Sequence, residues 1–197
     1  MSIIVRLSIL LLFGIICCST EKVAPRHLAQ SKEAAKYCAE NNFNTSYCVL
    51  IDMRIHSGKN RMVLWDLKND SAVFSCLCSH GCGDSAWGED HTKINPVFSN
   101  TEESHCSSLG KYKIGKRGWS NWGIHVNYKL HGLESTNNNA YDRLIVLHSW
   151  DAIPETEPYP SGTPEGWGCP AISNGYLRLL DSYLQNSNVP TLLWIYN

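Results

Sequence analysis

The stretch YCVLIDMRIHSGKNRMVLWDLKNDSAVFSCLCSH, residues 47–80, decides the fold class. Three runs rich in β-branched and aromatic residues lie within it: YCVLIDMRI, RMVLWDL and AVFSCLCSH. The polar segments SGKN at 57–60 and KND at 68–70 separate these runs and are typical of turns. The stretch therefore predicts a three-stranded meander.

Further strand-like runs continue toward the C-terminus. They are LGKYKIG at 109–115, WGIHVNYKLHGL at 122–133, DRLIVLHSW at 142–150 and TLLWIYN at 191–197. Residues 31–41, SKEAAKYCAEN, predict a short N-terminal helix with Ser31 as its N-cap. An apolar stripe predicts a C-terminal helix, and its members are Tyr176, Leu177, Leu180, Tyr183 and Leu184. We therefore expect a mainly β fold, a sandwich or barrel with an N-terminal helix and a C-terminal helix.

The N-terminus predicts export. Residues 1–18 contain one arginine followed by an uncharged apolar run, which has the length of a signal peptide and is too short for a comfortable membrane span. Two cysteines end that run, so ordinary cleavage and membrane attachment through a lipid on Cys18 both remain open. We expect a polar spacer at 19–30, a single domain at 31–197, and a location in the periplasm or cell envelope.

The charge balance excludes one class of partner. The chain of 197 residues carries a formal net charge of -1 and has no basic stripe. Such a surface cannot neutralise a phosphate backbone, so we expect no nucleic-acid partner.

Cysteine usage bears on both stability and chemistry. Seven cysteines follow Cys18, and an odd number leaves at least one thiol unpaired unless chains cross-link. In an oxidising compartment we expect up to three disulfides among six of them, with Cys169 left free. These six are Cys38, Cys48, Cys76, Cys78, Cys82 and Cys106.

Two long stretches have no regular pattern, 80–107 and 151–168, and loops of that length in a compact domain are usually functional or disordered. The second stretch joins His148 to Cys169. His148 follows the buried-strand pattern LIVL, which predicts its imidazole at the rim of the sheet, in a suitable place for a general base. A cysteine thiol needs such a neighbour to become a nucleophile at neutral pH.

The segment GWGCPAIS at 166–173 is suited to acyl transfer. Pro170 disfavours helical backbone at Cys169 and has no N–H of its own. The amides of Gly168 and Cys169 are therefore the donors available to an oxyanion, with that of Trp167 next. Gly166 and Gly168 permit the unusual torsions that such a turn needs.

Two rival interpretations remain open from the residues alone. In CLCSHGC, the side chains of Cys76, Cys78, His80 and Cys82 recur at every second position, as in a zinc site. Residues two apart on a strand are about 6.6 Å apart, too far for neighbouring ligands of one ion unless the strand bends sharply. The other rival is a non-catalytic, disulfide-stapled binding module of the cell envelope, with an aromatic surface at Trp119 and Trp122.

Several motifs, taken together and in order, resemble the L,D-transpeptidase catalytic domain family with its YkuD-like fold. LIVLHSW, followed by GWGCPA and a closing helix and strand, resembles the subgroup with a G-C-P-A nucleophile segment. Upstream, CSHGCG at 78–83 and SSLGKYKIG at 107–115 are similar to that subgroup's His-Gly segment and S-x-x-G-x-Y strand. HGLES and NNNAYDRLIVLH are similar to the approach to its catalytic histidine. The resemblance covers about residues 47–197.

The resemblance implies peptidoglycan chemistry. Cys169 is then the nucleophile, His148 the base and Gly168 a backbone member of the oxyanion hole, while His80 and Trp167 lie in or behind the substrate site. The substrate is a peptidoglycan stem peptide, the reaction expels D-alanine through a thioester, and no metal or organic cofactor is needed. An amine acceptor gives a 3-3 cross-link, whereas water gives L,D-carboxypeptidase or endopeptidase activity.

This chain departs from the family at positions that concern substrate binding. The subgroup usually has a serine two or three residues before the cysteine, where Gly166 and Trp167 stand here. The better-known branch has an arginine two residues after the cysteine, where this chain has Ala171. The resemblance therefore assigns no substrate anchor.

Overall fold

The computed structural model describes residues 24–197. The predicted signal peptide at 1–18, with Cys18, lies outside the described residues. The elements run in the order α1 (Ala24–Glu40), β1 (Tyr47–Asp52), β2 (Met62–Asp66), β3 (Ser71–Cys76), β4 (Gly110–Trp119), β5 (Val126–Gly132), β6 (Val146–Ser149), β7 (Ala171–Ile172), α2 (Asn174–Gln185) and β8 (Leu192–Tyr196).

All eight strands form one sheet in the order β3-β2-β1-β8-β4-β5-β6-β7. The strand pairs are antiparallel except β1 with β8 and β6 with β7, which are parallel. The chain that leaves β3 reaches β7, where Ser79 N donates to Ala171 O at 2.8 Å, so the sheet is a nearly closed barrel. The predicted meander, mainly β fold class and two flanking helices are confirmed.

Strand β1 shows why both helices are needed. Val49 and Ile51 point into one apolar cluster, and Cys48 and Leu50 point into another, because successive side chains of a strand alternate between its faces. Each cluster is completed by one helix. The helical contributions are Leu177 and Leu180 from α2 in the first cluster, and Ala34 and Cys38 from α1 in the second.

Helix α1 begins at Ala24, earlier than predicted. Ser31 lies inside the helix, so its assignment as the N-cap is wrong, and residues 24–30 of the expected spacer are helical. The single proton of the Ser31 hydroxyl is shared between Leu28 O at 3.0 Å and Asp70 Oδ1 at 3.2 Å, and this satisfies a buried polar group within the helix.

The structure pairs none of the seven cysteines that it describes, whereas up to three disulfides were expected. Cys38 and Cys48 belong to the cluster under α1, and Cys76 and Cys78 to the cluster under α2. A buried thiol there packs as a small apolar side chain, and burial raises the pKa of Cys38 to about 11.

Within residues 24–197, no helix is both long and apolar enough to cross a membrane. The two long stretches without a predicted pattern contain no strand or helix of three or more residues in the structure. They meet at an isolated parallel bridge between Gly81 and Gly166. This bridge places the loop after β3 beside the segment that leads to Cys169.

Candidate active site

Pairing of β6 with β7 brings Cys169 next to His148. His148 lies in β6 and is opposite Ala171 of β7, two residues after the cysteine. The backbone N–H of His148 also donates to Pro170 O at 3.4 Å. Residues that are separated by a long loop in the sequence therefore meet at one edge of the sheet.

The sulfur of Cys169 lies against the backbone of β6 and of Leu144, two residues before that strand. Val146 N donates to Cys169 Sγ at 3.4 Å, and the thiol lies 3.9 Å from Leu144 O. Burial raises the pKa of the Cys169 thiol, and the hydrogen bond from Val146 opposes this shift. The Cys169 thiol is therefore neutral at neutral pH.

The imidazole of His148 is nearly buried and oriented by its own strand. Its Nδ1 lies 2.9 Å from Ser149 O, and a carbonyl oxygen can only accept, so Nδ1 carries the proton. The other nitrogen, Nε2, is left as an acceptor. Burial lowers the pKa of His148 below 6.5, so the ring is neutral at neutral pH and suited to accept a proton.

Cys169 and His148 line one cavity, although no hydrogen bond joins the sulfur to the ring in this structure. Catalytic hydrogen bonds are often long before substrate binds. Cys169 therefore supplies a thiol and His148 a base, and the carbonyl oxygen of Ser149 orients the base.

Gly168 gives its shape to the loop of residues 166–170, which carries Cys169 and is named the nucleophile loop because Cys169 is the candidate nucleophile. The φ of Gly168 is +96°, and a Cβ built there would lie 2.5 Å from Cys106 O. The Ser107 hydroxyl donates to Gly168 O at 3.2 Å and holds the turn. In the described chain the amides of Gly168 and Cys169 donate to no other group, so both are available to an oxyanion.

The cavity beside Cys169 has a volume of about 450 Å³ and an aromatic wall. Its lining consists of Ser79, Trp87, Trp122, His148, Trp150, Gly166, Trp167, Cys169 and Ala171. None of these residues is an aspartate, glutamate, lysine or arginine. Trp167, predicted to lie at the site, is exposed at the rim and stacks on His105.

The sequence did not assign Trp87 or Trp150 to the site. Trp150 lies two residues after His148, and Trp87 lies in an irregular stretch noted for its length, which were the available signals. Trp122 and Trp119 were considered together as an aromatic surface. The structure separates them, because Trp122 lines the cavity while Trp119 stacks on His125 outside it.

His80 lies behind the site rather than in the cavity. It is fully buried, Arg61 donates to its Nδ1 at 2.7 Å, and its Nε2 lies 2.7 Å from Thr92 Oγ1. Burial and the Arg61 charge lower the pKa of His80 to about 2, so the ring is neutral. Its carbonyl accepts from Gly166 N at 2.8 Å and thereby supports the nucleophile loop from below.

The zinc interpretation has no geometric support. Among residues 24–197, no three histidine, cysteine, aspartate or glutamate side chains are placed to share an ion. Cys76 and Cys78 are buried in the apolar cluster under α2, and His80 is engaged by Arg61 and Thr92.

A comparison with known protein families assigns this chain to one of them. The profile of the L,D-transpeptidase catalytic domain matches residues 19–196. The chain belongs to the L,D-transpeptidase catalytic domain family. Members of this family act on peptidoglycan stem peptides. No curated protein matches this L,D-transpeptidase-family chain.

Three solved structures align with this L,D-transpeptidase-family chain at low identity. Bd1075 of Bdellovibrio bacteriovorus gives a TM-score of 0.46 and 14% identity over 77% of this chain and 48% of that one. The L,D-transpeptidase of Xylanimonas cellulosilytica gives a TM-score of 0.41 and 12% identity over 82% of this chain and 68% of that one. Pgp2, the helical cell shape determining protein of Campylobacter jejuni, gives a TM-score of 0.46 and 13% identity over 85% of this chain and 55% of that one. The chain spans about half the length of Bd1075.

Proposed function

We propose that this protein is a peptidoglycan L,D-transpeptidase with Cys169 as nucleophile and His148 as base. The observation that carries the proposal is the meeting of these two side chains in one cavity, with the free amides of Gly168 and Cys169 beside them. Membership in the G-C-P-A subgroup is part of the proposal, since the segment GWGCPA provides both the thiol and the turn.

In the first step, His148 Nε2 takes the proton of the Cys169 thiol as the sulfur attacks a carbonyl of the stem peptide. This carbonyl is attached to the L-configured centre of the residue that precedes the terminal D-alanine. The C–S bond forms and the carbonyl oxygen becomes an oxyanion that accepts from the amides of Gly168 and Cys169. The protonated imidazole then donates to the departing amine, the C–N bond breaks, and D-alanine leaves. A thioester remains on Cys169.

In the second step, an acceptor attacks the thioester carbonyl. A side-chain amine forms an amide and gives a 3-3 cross-link, while water gives the hydrolysed stem. In both cases the C–S bond breaks, and the proton lost by the acceptor returns to the sulfur through His148. Neither step needs a group beyond the side chains and amides of this chain.

The expected site of action is the cell envelope. It follows from the signal-like sequence at 1–18 and from the location of peptidoglycan, and lipidation of Cys18 or ordinary cleavage are both consistent with it. Labelling cells with a radioactive fatty acid tests the lipid, and a Cys18→Ala variant that still takes up label would contradict lipidation at that residue.

The nucleophile is tested by intact-protein mass spectrometry with a purified tetrapeptide stem. We expect the wild type to release D-alanine and to gain the mass of the acyl group, and Cys169→Ala to do neither. Cys38→Ala is the matched control, because it also removes a thiol but from the cluster under α1. Equal release of D-alanine by Cys169→Ala would exclude Cys169 as the nucleophile.

A further inference from the structure

Three tryptophans beside the proposed nucleophile form a contiguous wall, here named the tryptophan cluster: Trp87, Trp122 and Trp150. The ring centroids of Trp87 and Trp150 are 5.0 Å apart and stacked, and those of Trp122 and Trp150 are 5.8 Å apart and edge-on. The outer two rings remain about half exposed, 47% for Trp87 and 45% for Trp122. Their free faces are therefore accessible to a ligand in the cavity.

The cluster is held rigidly against the nucleophile loop. Gly88 N donates to Glu165 O at 2.9 Å and Glu165 N donates to Glu89 O at 2.8 Å, which fixes the turn after Trp87 to the chain just before Gly166. Trp150 is nearly buried, and its backbone N–H donates to Ile172 O at 3.0 Å. The backbone that carries Trp87 and Trp150 is thus fixed before a ligand arrives.

The same wall offers few hydrogen-bond partners to a bound water molecule. An ordered water needs about two to four polar partners, but Ser79 Oγ is already engaged, donating to Cys169 O at 3.4 Å and accepting from Ala171 N at 3.2 Å. His148 Nδ1 is engaged by Ser149 O. Beside the sulfur, the polar groups that remain free among the described residues are His148 Nε2 and the amides of Gly168 and Cys169, which the proposed reaction engages with the transferred proton and the oxyanion. The remaining surface is largely aromatic carbon, which a ligand with an apolar stem covers better than water does.

An amine gains more from this wall than water does. When a neutral amine attacks a thioester, its nitrogen holds positive charge before the proton leaves, whereas the much less basic oxygen of an attacking water holds such charge far less readily. An indole face attracts a cation within about 6 Å of the ring centroid, and no charged side chain lines the cavity to compete with that attraction. An interaction that is stronger in the transition state than in the ground state raises the rate.

We propose that the tryptophan cluster makes a primary alkyl amine, rather than water, the preferred acceptor of the acyl group on Cys169. This rests on the proposed function and selects cross-linking over hydrolysis within it. The amine's alkyl stem packs on Trp87 and Trp122 while its nitrogen attacks the thioester carbonyl. The N–C bond forms, the C–S bond breaks, and the amine proton passes through His148 to the sulfur.

The measurement is the ratio of cross-linked to hydrolysed product, read by mass spectrometry with a tetrapeptide donor and a soluble stem tripeptide that carries a free side-chain amine. We expect Trp87→Leu and Trp122→Leu to lower this ratio roughly two- to thirtyfold, because leucine keeps an apolar surface but has no ring quadrupole. Trp87→Phe keeps a weaker ring and should give an intermediate ratio. Trp119→Leu is the control, since that tryptophan lies outside the cavity, and its ratio should match the wild type.

The outcomes separate this inference from the function on which it rests. D-alanine release by the wild type with only hydrolysed product, or an unchanged ratio in both leucine variants, overturns the role of the cluster and leaves the nucleophile in place. No D-alanine release by the wild type overturns the proposed function itself. Because Trp87 and Trp122 are half exposed, both variants should fold, and circular dichroism confirms this before the ratio is measured.

Discussion

At the scale of single residues, the two glycines of the nucleophile loop have different roles. Gly168 has a φ of +96° and would place a Cβ 2.5 Å from Cys106 O, whereas a Cβ on Gly166 meets nothing within 4 Å and its φ is not positive. The sequence suggested special torsions at both positions. Only Gly168 requires them, because only its backbone is pressed against the chain at Cys106.

Gly168→Ala should therefore lower both stability and activity. Left-handed backbone costs a non-glycine residue roughly 1–2 kcal/mol, and moving an oxyanion donor typically lowers the rate about 100-fold or more. Gly166→Ala, the matched control, should change the free energy of unfolding by less than about 0.5 kcal/mol. Urea denaturation and D-alanine release provide the two readouts. Equal stability of the two variants would show that the loop relaxes around the new Cβ.

At the scale of elements, a buried polar chain joins the loop after β3 to the loop before β7. Arg61 donates to Cys78 O at 2.8 Å and to His80 Nδ1 at 2.7 Å, and His80 continues the chain to Thr92. Thr92 N in turn donates to Glu165 Oε1 at 2.6 Å. Arg61 and Glu165 thus lie at the two ends of a neutral imidazole, and together they join the loop that contains Trp87 to the loop that leads to Gly166.

Arg61→Met should be strongly destabilising. It leaves the buried carbonyl of Cys78 and Nδ1 of His80 without their donor and removes the positive charge near Glu165, at a cost of about 3 kcal/mol or more. Arg178→Met is the control at an exposed site on α2 and should stay within about 0.5 kcal/mol of the wild type. The free energy of unfolding in urea measures both. A small loss in Arg61→Met would mean that the two loops are held mainly by their backbone bridge.

At the scale of the whole molecule, the buried histidines link stability to pH. Burial lowers the pKa of His27, His80 and His148, and Arg61 adds to the shift at His80. The unfolded chain binds protons near pH 6.5 that the folded chain does not, so folding becomes weaker as the pH falls below that value. Burial raises the pKa of Glu165, so protonation of this carboxylate in acid favours the folded state and opposes the loss of stability from the histidines.

We expect the free energy of unfolding to fall between pH 6.5 and pH 5. His80 alone, with a pKa of about 2 in the folded state, contributes a loss of about 1.5 kcal/mol over this range. His80→Gln should flatten the dependence, because glutamine binds no proton in either the folded or the unfolded state. Urea titrations at the two pH values test this. Identical wild-type stability at both would contradict a neutral, buried His80.

The sequence by itself determined the strand series, the two helices, the family resemblance and the pairing of Cys169 with His148 as candidates. These features follow from local hydrophobic periodicity and short motifs, which do not depend on contacts between distant parts of the chain. Tertiary structure alone decided the start of α1, the short strand β7, the free state of the cysteines, the burial of His80 and the placement of Trp87, Trp122 and Trp150. Each of these depends on which loop packs against which strand, and irregular loops have no period from which such contacts can be read.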